Sequence, residues 1–224
     1  MRLALAQTNP TIGALESNAA AIAAMIDKAR DLEADVVLFP ELCVCGYPPR
    51  DLLHQAGFLD ACRSTADRIG TACSKDSTVI LGLPRAAFDS AGRRIGIVNS
   101  LIAYREGRAI ATYDKRLLPT YDVFDEDRYF LPGSHAVAIE VPGRAGLVRL
   151  GLAICEGLWR GEDAGFAARY HDGPDPIDEL ARLGCRAILS ASASPFVLGK
   201  SERHLSILRK HAQRHGMHVA SVNQ

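Results

Sequence analysis

The chain has 224 residues, 48% of them hydrophobic, enough to bury the core of one domain. Its 26 Lys and Arg balance 26 Asp and Glu, so no global field draws it to a phosphate backbone or an anionic membrane, and nucleic acid is not an expected partner. The apolar stretch in MRLALAQTNP is too short for a signal sequence and no run reaches bilayer length; no membrane contact and a cytoplasmic location are expected. Cysteines 43, 45, 62, 73, 155 and 185, without a secretory signal, read as reduced core residues rather than a disulfide framework, and Cys43-x-Cys45 lacks zinc or redox spacing, so no metal is expected.

Short β-branched or leucine-rich runs alternate with helical patterns, which predicts an α/β protein. Leu3–Gln7 reads as a first strand. Ile22, Met25, Ile26, Ala29 and Leu32 recur at helical spacing, predicting a helix from about Leu15 to Glu33. Val36–Phe39 is a buried strand stopped by Pro40, which places Glu41 just past a strand end. A helix follows over about Phe58–Cys73, then strands at Val79–Leu83, Val98–Tyr104 and Ala109–Tyr113, the last two joined by a hairpin at Arg105–Arg108 that carries Gly107. Residues from Asp114 to Pro132 have no clean period and are too many for an ordinary connection, so they read as a functional loop, which Lys115 opens. Val137–Val141 and Val148–Ile154 read as strands joined by a Pro142-Gly143 turn, and Cys155 follows directly. Pro176–Leu183, strand Ala187–Ser190, helix Ser201–His215 and strand His218–Val222 complete the pattern.

Glu41, Lys115 and Cys155 each stand at a strand end, and strand ends of one sheet share a rim where ligands bind in open α/β folds. Amide hydrolysis needs a nucleophile, a proton carrier and a positive or donor group at the developing oxyanion, and these three residue types supply those roles. Taken singly, each has a bland explanation: a capping or solvated glutamate, an exposed lysine, a core cysteine.

The strings LALAQTNPTIGALESN, ADVVLFPELCVCGYPPRDLL, YDKRLLPTYDVFDEDRYF and LGLAICEGLW together resemble the nitrilase superfamily, and within it the glutaminase domain of glutamine-dependent NAD synthetases. The resemblance spans Met1 to Gln224. It implies a four-layer α-β-β-α sandwich and a Glu-Lys-Cys triad at Glu41, Lys115 and Cys155, with Glu126 of DEDRYF bonding the lysine and the substrate amide. It assigns recognition of the charged ends of glutamine to Tyr121, Glu156, Ser194 and Lys200. Lysine at 200 stands where the family often carries arginine, a point charge in place of a planar fork.

The SGGxDS phosphate loop of the synthetase half is absent, so the resemblance leaves ATP and magnesium to a synthetase domain outside this chain and implies no cofactor within it. It also implies family strands beyond VNQ, so residues 1–224 read as one C-terminally truncated hydrolase domain, expected to self-associate as a homo-oligomer. Rival readings are another branch of the superfamily, such as an omega-amidase or carbamoylase; a metal-binding module using His204, His211, His215 and His218; and a non-catalytic assembly module.

Overall fold

The computed structural model describes residues 1–73, 77–143, 146–162 and 165–224. Strands β1 (Leu3–Leu5), β2 (Val36–Leu38), β3 (Thr78–Phe88), β4 (Arg94–Arg105) and β5 (Arg108–Asp114) form one sheet in that order. The second sheet is ordered β6 (Ala138–Gly143), β7 (Gly146–Ile154), β8 (Ala187–Ser192) and β9 (His218–Asn223). Helices α1 (Leu15–Asp31) and α2 (Phe58–Thr71) cover the first sheet, while α3 (Glu156–Trp159), α4 (Pro176–Arg182) and α5 (Lys200–His215) pack on the second.

The period-two alternation of strands sorts the core into two layers. Val37, Phe39, Val79 and Leu81 join Ile22, Ile26, Cys62 and Ile69 of the outer helices in one cluster. Their neighbours Val36, Leu38, Ile80 and Leu101 face the other way, into a cluster with Ile139, Leu150, Leu152 and Ile188 of the second sheet. The result is the expected helix-sheet-sheet-helix sandwich. Among the described residues no helix is long and apolar enough to cross a membrane.

Several boundaries differ from the sequence expectation for identifiable reasons. Helix α1 stops at Asp31, and Leu32, placed in the apolar stripe, is exposed. Glu33 takes a left-handed conformation at φ 53°, and the Ala34 N–H to Ala29 O and Glu33 N–H to Arg30 O bonds make a Schellman motif. Strands β3 and β4 run well past the predicted segments, pairing from Val79 with Tyr104 out to Phe88 with Arg94. The signal faded at Pro84, which is tolerated because β2 pairs with β3 only as far as Ile80, leaving that edge outside the ladder. The β4–β5 hairpin turns on Glu106 and Gly107, both at positive φ (51° and 72°), the backbone of a type I′ turn. Pro142 and Gly143 are part of β6, paired with Leu147 and Gly146, rather than a turn; the connection at 144–145 lies outside the described residues.

Candidate active site

Glu41 sits in a turn that begins where β2 ends and packs across β3. Gly82 makes the approach possible: a Cβ there would lie 2.5 Å from Leu42 N and 2.7 Å from Pro40 O, both backbone atoms. The Val44 N–H bonds Gly82 O at 3.1 Å and fastens the turn in place. Gly82→Ala is therefore expected to destabilise the fold by about 1–3 kcal/mol through overpacking. It should lower turnover further, by about 10²-fold, because it displaces the Glu41 backbone. Comparing denaturation midpoints with kcat checks both; an active site untouched by the substitution would mean that the turn is not seated this way.

Lys115 is the first residue after β5. Its backbone is fixed on both sides, N–H to Asn99 O and O from Gly133 N–H, each 2.8 Å. Its side chain is fully buried, and Nζ lies 2.7 Å from Glu41 Oε1 and 2.7 Å from Glu126 Oε1. Glu126 opens a single helical turn, Glu126–Arg128, inside the predicted functional loop. The Tyr47 hydroxyl also donates to Glu126 Oε1, at 2.7 Å. On Glu41, Asn99 Nδ2 donates to Oε1 at 2.7 Å and the Ala193 N–H to Oε2 at 3.0 Å. Gln224 Nε2 donates to the Glu41 backbone oxygen at 2.7 Å.

Cys155 follows β7 without an intervening residue and is held in a strained backbone, φ 40° and ψ −101°, at the start of α3. Its N–H bonds Ala191 O at 2.9 Å, and only 2% of the residue is exposed. Burial pushes the thiol well above its ordinary range, and the Glu41 charge adds to this while Lys115 opposes it. The resting sulfur is therefore protonated and needs a base to become a nucleophile. Burial alone would discharge Lys115, but Glu126 and Glu41 outweigh it and hold its pKa well above normal. Burial raises the Glu126 carboxyl to about 7, against the pull of Lys115 and with repulsion from Glu41.

One expectation is corrected here. The three reactive residues do not share the rim of one sheet: Glu41 and Lys115 leave the first sheet, whereas Cys155 leaves the second. They meet because the two sheets pack face to face.

On the outer side, Tyr121 donates to Glu156 Oε2 at 2.7 Å, which ties it to the residue after Cys155. Its ring stacks on Phe166 (4.4 Å) and meets the edge of Phe124 (5.7 Å). A cavity of about 650 Å³ is lined by these three aromatics with Lys200 and Arg203. Lys200, at the first turn of α5, also borders a second cavity of about 370 Å³ that contains Ser194. Ser194 is fixed by a 2.7 Å bond from its N–H to Asn223 Oδ1.

Sequence reasoning passed over Asn99 and Tyr47. A signal existed for the first, since an asparagine inside the apolar run GIVNSLIAY needs a buried partner; Tyr47 carried none. The histidines of the metal-binding alternative do not converge. His204 stacks on Trp159 at 3.8 Å, His211 Nε2 meets Leu158 O at 2.8 Å, and His215 Nε2 lies 3.1 Å from Asp178 Oδ1. His218 is exposed at the start of β9. This face of α5 packs on α3 and α4, and among the described residues no group of three or more His, Cys, Asp or Glu is arranged for a metal.

Residues 2–171 match the family model described as carbon-nitrogen hydrolase. A glutamine-dependent NAD(+) synthetase from Xanthomonas campestris pv. campestris (strain 8004) is 36% identical over 226 residues, covering 100% of this chain and 37% of that protein. The chain thus spans little more than a third of that relative's length. Among solved structures, a glutamine-dependent NAD+ synthetase from Acinetobacter baumannii in complex with ADP superposes with a TM-score of 0.82 at 28% identity, over 99% of this chain and 38% of the other. An amidase from Nesterenkonia sp. gives a TM-score of 0.75 at 23% identity over 100% of this chain and 75% of its own, a likeness of fold alone.

Proposed function

The chain belongs to the carbon-nitrogen hydrolase family, and from that footing we propose that it releases ammonia from glutamine through a thioester on Cys155. The observation that carries this reading is the buried ion cluster of Glu41, Lys115 and Glu126, set beside a protonated thiol on a strained turn. Glu41 takes the Cys155 proton as sulfur attacks the amide carbon, then passes it to the departing ammonia. Lys115, with the Glu156 backbone N–H, holds the oxyanion. Water activated by Glu41 opens the thioester, restoring the thiol. Glu126 keeps Lys115 charged and aimed, and accepts from the substrate amide.

The choice of glutamine over simpler amides rests on Lys200 and Ser194, which line the outer cavities, and on Glu156, buried beside Cys155 and bonded by Tyr121. Lys200 suits the α-carboxylate, while Glu156, braced by Tyr121, suits the α-ammonium, with Ser194 alongside. The closeness to glutamine-dependent NAD(+) synthetases supports the same choice. The ammonia would feed an ATP- and magnesium-dependent synthetase domain outside this chain, which itself needs no cofactor.

Two measurements test the proposal together. Ammonia release should be far greater from glutamine than from an N-carbamoyl amino acid or a short amide lacking the α-carboxylate. A glutamine-analogue diazoketone should add once, on Cys155, by intact-protein and peptide mass. Preference for the N-carbamoyl substrate would place the chain in the carbamoylase branch, and labelling of another cysteine would remove Cys155 as nucleophile.

A further inference from the structure

The two oxygens of Glu41 are not equivalent. Oε1 accepts from both Asn99 Nδ2 and Lys115 Nζ, each at 2.7 Å, which fills its lone pairs. Oε2 accepts the Ala193 N–H at 3.0 Å and keeps capacity for one more proton. Ala193 lies two residues past Ala191, whose carbonyl accepts the Cys155 N–H, so Oε2 is tied to the same segment that holds the nucleophile's backbone. We infer that Asn99 is a positioning residue that locks the Glu41 carboxylate in this orientation, reserving Oε1 for anchoring and Oε2 for proton exchange with Cys155. The inference rests on the reading of Glu41 as base and Cys155 as nucleophile.

Asn99 suits the task because its own placement is fixed. It is completely buried, pairs with Pro84 across β3 and β4, and its backbone oxygen accepts the Lys115 N–H at 2.8 Å. One residue thus registers the base through its side chain and the lysine through its main chain. Its Oδ1 is buried with no hydrogen-bond partner, an arrangement that costs stability. Between Val98 and Leu101, both buried, an apolar side chain would serve packing better. Without the Asn99 donor the carboxylate can turn about its last bond, and Lys115 can take either oxygen.

The test uses Asn99→Leu, similar in size without the donor, and Asn99→Asp, similar in shape with a donor only when protonated. Asn99→Leu should lower kcat by about 10²-fold with KM changed less than threefold. Among the described residues, the charged or titratable groups around Glu41 are Lys115, Glu126, Tyr47 and Cys155, and neither substitution replaces any of them. For Asn99→Asp, turnover should fall as pH rises across the range in which the wild type is level. A loss confined to KM in Asn99→Leu, or an Asn99→Asp pH profile parallel to the wild type, overturns the inference. If Asn99→Leu does not fold, the Asn99→Asp profile decides alone. Absence of Cys155-dependent turnover in the wild type is a separate failure, of the proposed activity, and is read before any variant is made.

Discussion

Replacement of Cys155 by alanine is expected to abolish ammonia release, by about 10⁴-fold or more, while leaving the fold intact. The other cysteines offer no substitute. Cys43 is buried, with its thiol pushed up to about 12 by desolvation, and it lies against Gly82, its sulfur accepting the Gly82 N–H at 3.3 Å. Cys45 and Cys62 face one another in the outer core, away from the second sheet. The substitution removes one sulfur at a site already strained at φ 40°, and alanine takes that backbone no less readily than cysteine, so the structural cost is small. Circular dichroism and denaturation should match the parent. Turnover above a trace in the folded variant would assign the chemistry elsewhere.

Lys115→Met should lower kcat by about 10²–10³-fold, because the oxyanion contact strengthens in the transition state. It should also destabilise the protein by about 3–5 kcal/mol near pH 8, since two buried carboxylates lose the cation between them. The pH dependence of that deficit is specific. In the parent the Glu126 carboxyl is raised to about 7, chiefly by burial and against Lys115, and removing the lysine moves it higher. A carboxyl raised in the folded state binds a proton that the unfolded chain has already released. Stability is therefore retained at low pH and lost as pH rises through the folded value. The deficit should be largest at about pH 8 and shrink towards about pH 5, as read by urea denaturation at both. A deficit independent of pH would show that Glu126 is not charged against Lys115, and a change confined to KM would make Lys115 a substrate contact.

The sequence carried the order of elements and the strand ends that bear reactive groups, because both depend on local rules. Pro40 ends a strand and so exposes Glu41 in the pattern; the unbroken run to Ile154 does the same for Cys155. Glu126, Tyr121 and Glu156 had no such signal and were reached only through resemblance, since an acidic loop residue looks solvated until Lys115 is known to lie 2.7 Å from it. Which sheet delivers which group was not legible, because sheet membership depends on pairings between distant segments such as β1 with β2 and β7 with β8. The pairing of Glu41 with Asn99 spans 58 positions, a separation at which periodicity carries no information.

The bond from Gln224 Nε2 to the Glu41 carbonyl, with Asn223 clasping Ser194 through both its N–H and its carbonyl, makes the end of β9 a tether. A load applied there is transmitted through one amide to the main chain of Glu41, and through Ser194 to the segment whose neighbouring Ala193 N–H steadies Oε2. A bulky group attached directly after Gln224 therefore acts on a segment hydrogen-bonded to the main chain of Glu41. A body fused directly after Gln224 is expected to lower turnover relative to one joined through a spacer of flexible residues, a comparison that reads how firmly this tether holds Glu41.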